Sequence, residues 1–166
     1  MAITWNDAKP GALAGSLDKG VMTTAHIMRW SAAVENWHRI HYDWRFATGH
    51  DKLPDVLING SWKQHVMVQL VKDALGADGW LYKIKFRYKK MDVAGDAIRA
   101  RAEVVDKREV EGLGFVTLRI TLTNQKDEVS TAGYAIGVLP LPGGRKVPYP
   151  FEPTPAQAAL QVPADE

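Results

Sequence analysis

The sequence predicts an α+β fold in which an antiparallel sheet wraps one long buried helix. Three observations carry this expectation. Residues 61–76, SWKQHVMVQLVKDALG, place apolar side chains at helical spacing over a broad face. Directly after Gly76 the hydrophobic period drops from that of a helix to strict alternation. Long alternating segments separated by short turns then fill most of the remaining chain. A helix this apolar needs cover on most sides, and a curling sheet supplies it within a two-layer arrangement.

Taken in order, the first 22 residues are rich in glycine and alanine and read as an irregular lead-in with at most one short strand. TTAHIMRWSAAVENW (23–37) reads as a helix capped by Thr24, whose hydroxyl accepts an orphan backbone N–H. Ile27, Trp30, Ala33 or Val34, and Trp37 form its apolar stripe. HYDWRFATGHDKLPD (41–55) is a loop with a short helical turn, broken by Gly49 and Pro54, and VLING (56–60) is a short strand entering a turn. In the long helix Trp62, Val66, Leu70 and Ala74 make the core stripe, with Met67, Val71 and Leu75 beside it. Ser61 is the expected cap and Gly76 the expected stop.

WLYKIKFRYKK (80–90) then puts Tyr82, Ile84, Phe86 and Tyr88 on one strand face and Lys83, Lys85, Arg87 and Lys89 on the other. AIRARAEVVDKREV, FVTLRITLTNQ and STAGYAIGVLPL are three further strands, and the turns at Gly95-Asp96, Gly112 and NQKDE predict an antiparallel meander. The last 24 residues hold most of the prolines and read as an extended tail, disordered at its end. One domain over residues 1–142, followed by a tail over 143–166, is the expected organisation.

Composition narrows the function classes. With 46% hydrophobic and 24% charged residues the chain is that of an ordinary globular domain. A net charge of +2 without a dense basic block gives no sign of a nucleic-acid partner. There is no cysteine, which removes disulfides, thiolate nucleophiles and zinc–thiolate sites. No apolar run approaches a membrane span and no signal peptide is visible, so a cytoplasmic location is expected.

NWHRIHYD (36–43) gathers two of the five histidines with an asparagine and an aspartate. On residue types alone three readings stand: a metal pair, acid–base chemistry, or a structural cap. His38 and His41 are spaced for metal, but no third ligand lies nearby in sequence, and no metal is expected. His26, His50 and His65 have no motif around them and read as structural. The Lys83/Lys85/Arg87/Lys89 stripe is either a solvated face or a surface for ligand phosphates, and the tryptophans are either core or the lining of a large apolar pocket.

RWSAAVENWHRIHYD resembles the signature of the MaoC-like hydratases, usually S-G-D-x-N-P-x-H-x-D. It is more similar to the branch containing mesaconyl-CoA hydratase and the hydroxyacyl-thioester dehydratases, which carries HRIHYD. Asn59-Gly60 opening the long helix and VAGDAI between the first two long strands fit the same pattern, so that the resemblance spans roughly residues 5–140. It implies the hotdog fold, assembly as a homodimer or a heteromeric hotdog complex, and no cofactor. The implied activity is that of an (R)-specific 2-enoyl-CoA hydratase, equally a 3-hydroxyacyl-CoA dehydratase, acting on an acyl-CoA or acyl-carrier-protein thioester. By the same resemblance His41 is the catalytic histidine, and Gly60 supplies a backbone N–H to the thioester oxygen. Asn36 stands where most members have a catalytic aspartate. Asn59, His38 and Asp43 are carried over to the substrate side of the site, Asp43 as a hydrogen-bonding group rather than an acid. Asn59 replaces a histidine common in the family, and His38 an asparagine. The departures at Asn36 and Asn59 keep open a second reading, a non-catalytic subunit that shapes the acyl pocket of a heteromeric hydratase. A thioesterase is disfavoured, since the only carboxylate on the long helix is Asp73, near its far end.

Overall fold

In a computed structural model, described for residues 2–164, five antiparallel strands form one sheet. The chain runs β1 (Leu13–Val21), α1 (Thr24–Ala33), a 3₁₀ turn (Arg39–His41), a single π turn (Phe46–His50) and α2 (Gly60–Leu75). It continues through β2 (Trp80–Tyr88), β3 (Ala97–Val110), β4 (Leu113–Thr123) and β5 (Val129–Leu139) to a short α3 (Pro155–Ala158). The sheet order is β1-β3-β4-β5-β2, and α2 touches every strand.

Packing, more than propensity, holds α2. Val66, Met67, Leu70, Val71 and Leu75 are buried, each contributing roughly 2 kcal/mol on removal from water, whereas helix propensities differ by about 0.7 kcal/mol or less among ordinary residues. The sheet accepts the helix closely because its inner face presents Ala100, Ala102 and Gly137; a Cβ at Gly137 would overlap the Leu75 side chain. The helix stops at Gly76, whose φ of 70° favours glycine. Lys63 also lies on the buried face of α2, paired with Asp92.

Several elements differ from expectation. The lead-in contains a full nine-residue edge strand, β1, which holds its place through β3 rather than through its own glycine-rich pattern. Helix α1 starts one residue earlier than its expected cap implies: Thr23 is the N-cap, and Thr23 and His26 bond each other's backbone N–H groups. It also ends at Ala33, before Trp37. Asn36 N–H bonds Ser31 O at 2.9 Å and Glu35 N–H bonds Ala32 O at 3.3 Å, a Schellman closure with Glu35 at φ 53°. Trp37 therefore leaves the helical stripe and is 57% exposed.

The meander holds for β3, β4 and β5, where Glu111 and Gly112, both at positive φ, make the tight β3–β4 turn. Strand β2, however, pairs with β5 at the far edge, not with β3. Its connection to β3 consequently crosses the sheet end beside the start of α2. A bulge between Leu81 and Lys83 also breaks the alternation within β2. Ile84 and Phe86 pack inward with Leu81, whereas Tyr82 packs outward with Trp80.

That outward face is covered by the C-terminal segment. Phe151, Leu160 and Val162 pack with Phe115, Ile136 and Val138, and Lys83 Nζ donates to Ala158 O and Leu160 O at 3.0 and 2.6 Å. Lys83 thus ties down the segment after residue 142 instead of facing open solvent. The disorder expected at the extreme end concerns Asp165 and Glu166, which lie outside the described residues. Among the described residues no helix is long and apolar enough to cross a membrane.

Candidate active site

The site begins where α1 stops. The Schellman closure turns the chain so that Asn36 leads into the 3₁₀ turn, and its Oδ1 accepts the His38 N–H at 3.2 Å. That bond fixes the orientation of the carboxamide and leaves Nδ2, a donor, without a protein partner among the described residues. His38 occupies the N-cap of the turn; its Nδ1 accepts weakly from Ile40 N–H at 3.5 Å.

His41 is the buried member of the cluster, 7% exposed. Its Nδ1 lies 2.8 Å from Leu57 O. A carbonyl can only accept, so Nδ1 carries the proton and Nε2 of the neutral ring keeps its lone pair. Burial lowers the His41 pKa from its ordinary 6.5; the Leu57 carbonyl opposes that by favouring the imidazolium, and the neighbouring His38 lowers it further. The ring is therefore a neutral base at pH 7. His38 and His41 stand edge to face with centroids 6.1 Å apart, and among the described residues no group of three possible metal-binding side chains forms.

Leu57 links this base to the start of α2. Its N–H donates to Ile40 O at 2.8 Å, and two residues on Asn59 takes the N-cap position. Asn59 does not cap with its side chain. It is buried and exchanges hydrogen bonds with Ser31 of α1, at 3.0 and 3.3 Å. Ser61, the expected cap, is the second helical residue; its Oγ accepts from Trp30 Nε1 at 2.9 Å. The first N–H groups of α2, those of Gly60 and Ser61, are left without an acceptor among the described residues, at the positive end of the helix dipole. Gly60 also lies close under Tyr88, which donates to Gly60 O at 2.7 Å; an added Cβ would sit 3.2 Å from the phenol ring, which would have to give by a few tenths of an ångström.

Five of the six residues singled out from sequence thus fall in one connected neighbourhood: Asn36, His38, His41, Asn59 and Gly60. Asp43 is engaged elsewhere. Its Oδ2 pairs with Arg39 at 2.6 Å and its Oδ1 accepts the Phe46 N–H at 3.0 Å. The Arg39 hydrogen bond is the main cause of its lowered pKa. The other histidines have structural partners: His26 completes the α1 cap, His50 meets Asp51 and stacks on Phe46, and His65 lies against Trp30. Tyr88, Ser31 and Asp92 escaped sequence reasoning. Each is distant in sequence from what it touches, and only Gly60, as a site requiring close approach, hinted that something would lie over it.

Beside the α2 start, between β1 and α1, lies a cavity of about 300 Å³ walled by Met22, Trp30, Ala33 and Trp62, with Lys19, His26 and Arg29 at its edge. Two of the six tryptophans line this cavity, while Trp44 as well as Trp37 stands exposed.

Residues 14–96, half of the chain, match the model of the family described as hydroxyacyl-thioester dehydratase type 2. No curated protein matches the chain in sequence. Among solved structures it is similar to an (R)-hydratase from A. caviae involved in PHA biosynthesis, at 21% identity over 80% of this chain and 97% of that one, with a TM-score of 0.69. It is similar to the ChsH1–ChsH2 complex from Mycobacterium tuberculosis at 17% identity, over 80% of this chain and 98% of that chain, TM-score 0.66. A further M. tuberculosis protein, described as having a double hotdog fold, matches at 19% identity over 99% of this chain and 53% of its own, TM-score 0.65. The antiparallel sheet folded around α2 is the hotdog fold, and the chain belongs to the hydroxyacyl-thioester dehydratase type 2 family.

Proposed function

We propose that the protein is an (R)-specific 2-enoyl-thioester hydratase, equally a 3-hydroxyacyl-thioester dehydratase, acting on coenzyme A esters. The observation that carries this is the His41 Nδ1–H···O=C bond to Leu57, which leaves Nε2 as a neutral base and ties the ring to a residue three positions before the uncapped Gly60 N–H. In hydration, Nε2 takes a proton from water while the water oxygen bonds to C3 of the enoyl group. The C2–C3 electron pair shifts toward the carbonyl, and charge gathers on the thioester oxygen, where the Gly60 N–H and the helix dipole stabilise it. The imidazolium then returns its proton to C2. Asn36 Nδ2 holds the water oxygen; lacking an acidic proton, Asn36 does no proton transfer itself. Dehydration follows the same steps in reverse.

A second reading is favoured by one observation, the amide at position 36. A hotdog chain whose partner supplies the acid–base pair would not need a carboxylate there. The deciding experiment is hydration of enoyl-coenzyme A esters by the purified chain alone, followed by loss of enoyl absorbance over short, branched and polycyclic acyl groups. Turnover supports the first reading. Turnover only after a second hotdog subunit is added replaces it with the second.

A further inference from the structure

The buried face of α2 carries a charge one turn from its start. Lys63 is 3% exposed, its partner Asp92 0%, and Nζ lies 2.6 Å from Asp92 Oδ2. The ammonium also donates to Lys90 O at 3.0 Å. Neither Asp92 carboxylate oxygen has a hydrogen bond among the described residues, so that the ion pair with Lys63 is the contact that holds this buried carboxylate. Two charges taken this far out of water are rarely the most stabilising choice for a core, since well-packed apolar residues of similar volume commonly do as well or better. What the pair provides is a fixed geometry.

That geometry leads to the site. Asp92 lies in the crossing from β2 to β3, and this crossing forms a short ladder with the residues that precede α2. Ile58 N–H donates to Asp92 O at 2.9 Å, Ala94 N–H to Val56 O at 3.0 Å, and Leu57 faces Val93. Leu57 is the residue whose carbonyl holds His41 Nδ1, and Gly60 follows three residues later. Lys63 therefore fastens the first turn of α2 to the crossing, and the crossing fastens Leu57. Both parts of the site hang on this one junction. We propose that the Lys63–Asp92 pair is a positioning unit: it fixes the Leu57 carbonyl that selects the His41 tautomer and the helix start that presents the Gly60 N–H. Its kinetic consequence rests on the hydratase reading above; its structural consequence for His41 does not.

The test is the double variant Lys63→Met/Asp92→Leu, which removes both charges while keeping the volume filled, read by ¹⁵N NMR of the histidine side chains. The His41 signals are assigned by their disappearance in His41→Gln. In the parent chain His41 shows the Nδ1–H tautomer with a slowly exchanging imidazole proton. In the folded double variant that proton resonance is expected to broaden or vanish and the ring to become a tautomer mixture. Where the parent hydrates enoyl esters, kcat is expected to fall about 10- to 100-fold with KM changed by less than about twofold, the signature of a misplaced reacting group. A folded double variant that keeps the parent tautomer and exchange rate overturns the proposal, whatever its activity. Should the double variant not fold, Asp92→Asn keeps the shape and leaves Lys63 an acceptor. The same NMR change is expected there in weaker form, and its absence overturns the proposal equally. An inactive parent chain with the expected NMR change sinks the hydratase reading and leaves the positioning unit standing.

Discussion

Asn36 and His41 test the chemistry at the level of single atoms. His41→Ala removes the base and is expected to lower turnover by two to four orders of magnitude, about the usual worth of a positioned acid–base group. Stopped-flow or steady-state hydration rates check this, with circular dichroism to confirm that the fold persists; near-parental turnover would end the assignment. Because burial lowers the His41 pKa below 6.5, the rate should hold as pH falls to that value and decline only below it. Stability follows the same direction. The unfolded chain takes up the proton first as pH falls, so this contribution is complete above about pH 6.5 and is lost as pH drops through the folded pKa. Asn36→Asp keeps an acceptor for the His38 N–H but replaces the free Nδ2–H donor with negative charge. The carboxylate favours the imidazolium, raises the His41 pKa and moves the acid limb of kcat/KM to higher pH. Should activity instead disappear at every pH, the amide donor itself is what the reaction requires.

Among the elements, α1 and β2 show how local rules are overruled. Nothing in the pattern around Trp37 stops a helix, yet α1 closes at Glu35 in the left-handed region, which favours glycine. A non-glycine residue there costs roughly 1 kcal/mol, part of which Glu35→Gly recovers. The expected gain is about 0.5 kcal/mol in urea unfolding, net of the extra freedom glycine gives the unfolded chain; a loss of stability would mean that the Glu35 side chain is needed in place. In β2 the alternation from Tyr82 to Tyr88 is unbroken in sequence, and still a bulge sends Tyr82 outward while Ile84 and Phe86 face α2. A bulge is chosen by the register against β5, information that the strand itself does not hold.

For the whole molecule, two predictions concern its surfaces. The outer sheet face is apolar at Phe115, Ile136 and Val138 and is covered by Phe151. Phe151→Ala should cost about 3 kcal/mol in chemical denaturation, the usual price of a large aromatic in a core; a change under about 1 kcal/mol would show that the C-terminal segment does not hold that face in solution. The sheet also leaves two edges, β1 and β2. Irregularities at two places in β1 blunt its edge, whereas β2 is regular from Lys83 to Tyr88. We expect two copies to pair through β2, giving a dimer by sedimentation or light scattering at micromolar concentration, with stability that rises with protein concentration. A monomer whose stability ignores concentration would rule this out.

How much of this was legible in the chain divides along range of interaction. The sequence by itself determined the long helix, the alternating strands and the cluster Asn36–Asp43, because helical and extended backbones impose their own periods on side chains and a short motif keeps its residues adjacent. It also determined the family. Only the tertiary structure decided that β2 crosses to the far edge, that the chain after residue 142 covers the outer face, and that Lys63 and Asp92, 29 positions apart, meet under α2. Above all it decided the tautomer of His41. A ring nitrogen's proton goes to whichever acceptor burial brings within reach, and Leu57 O is brought there by a ladder between two segments that no local period connects.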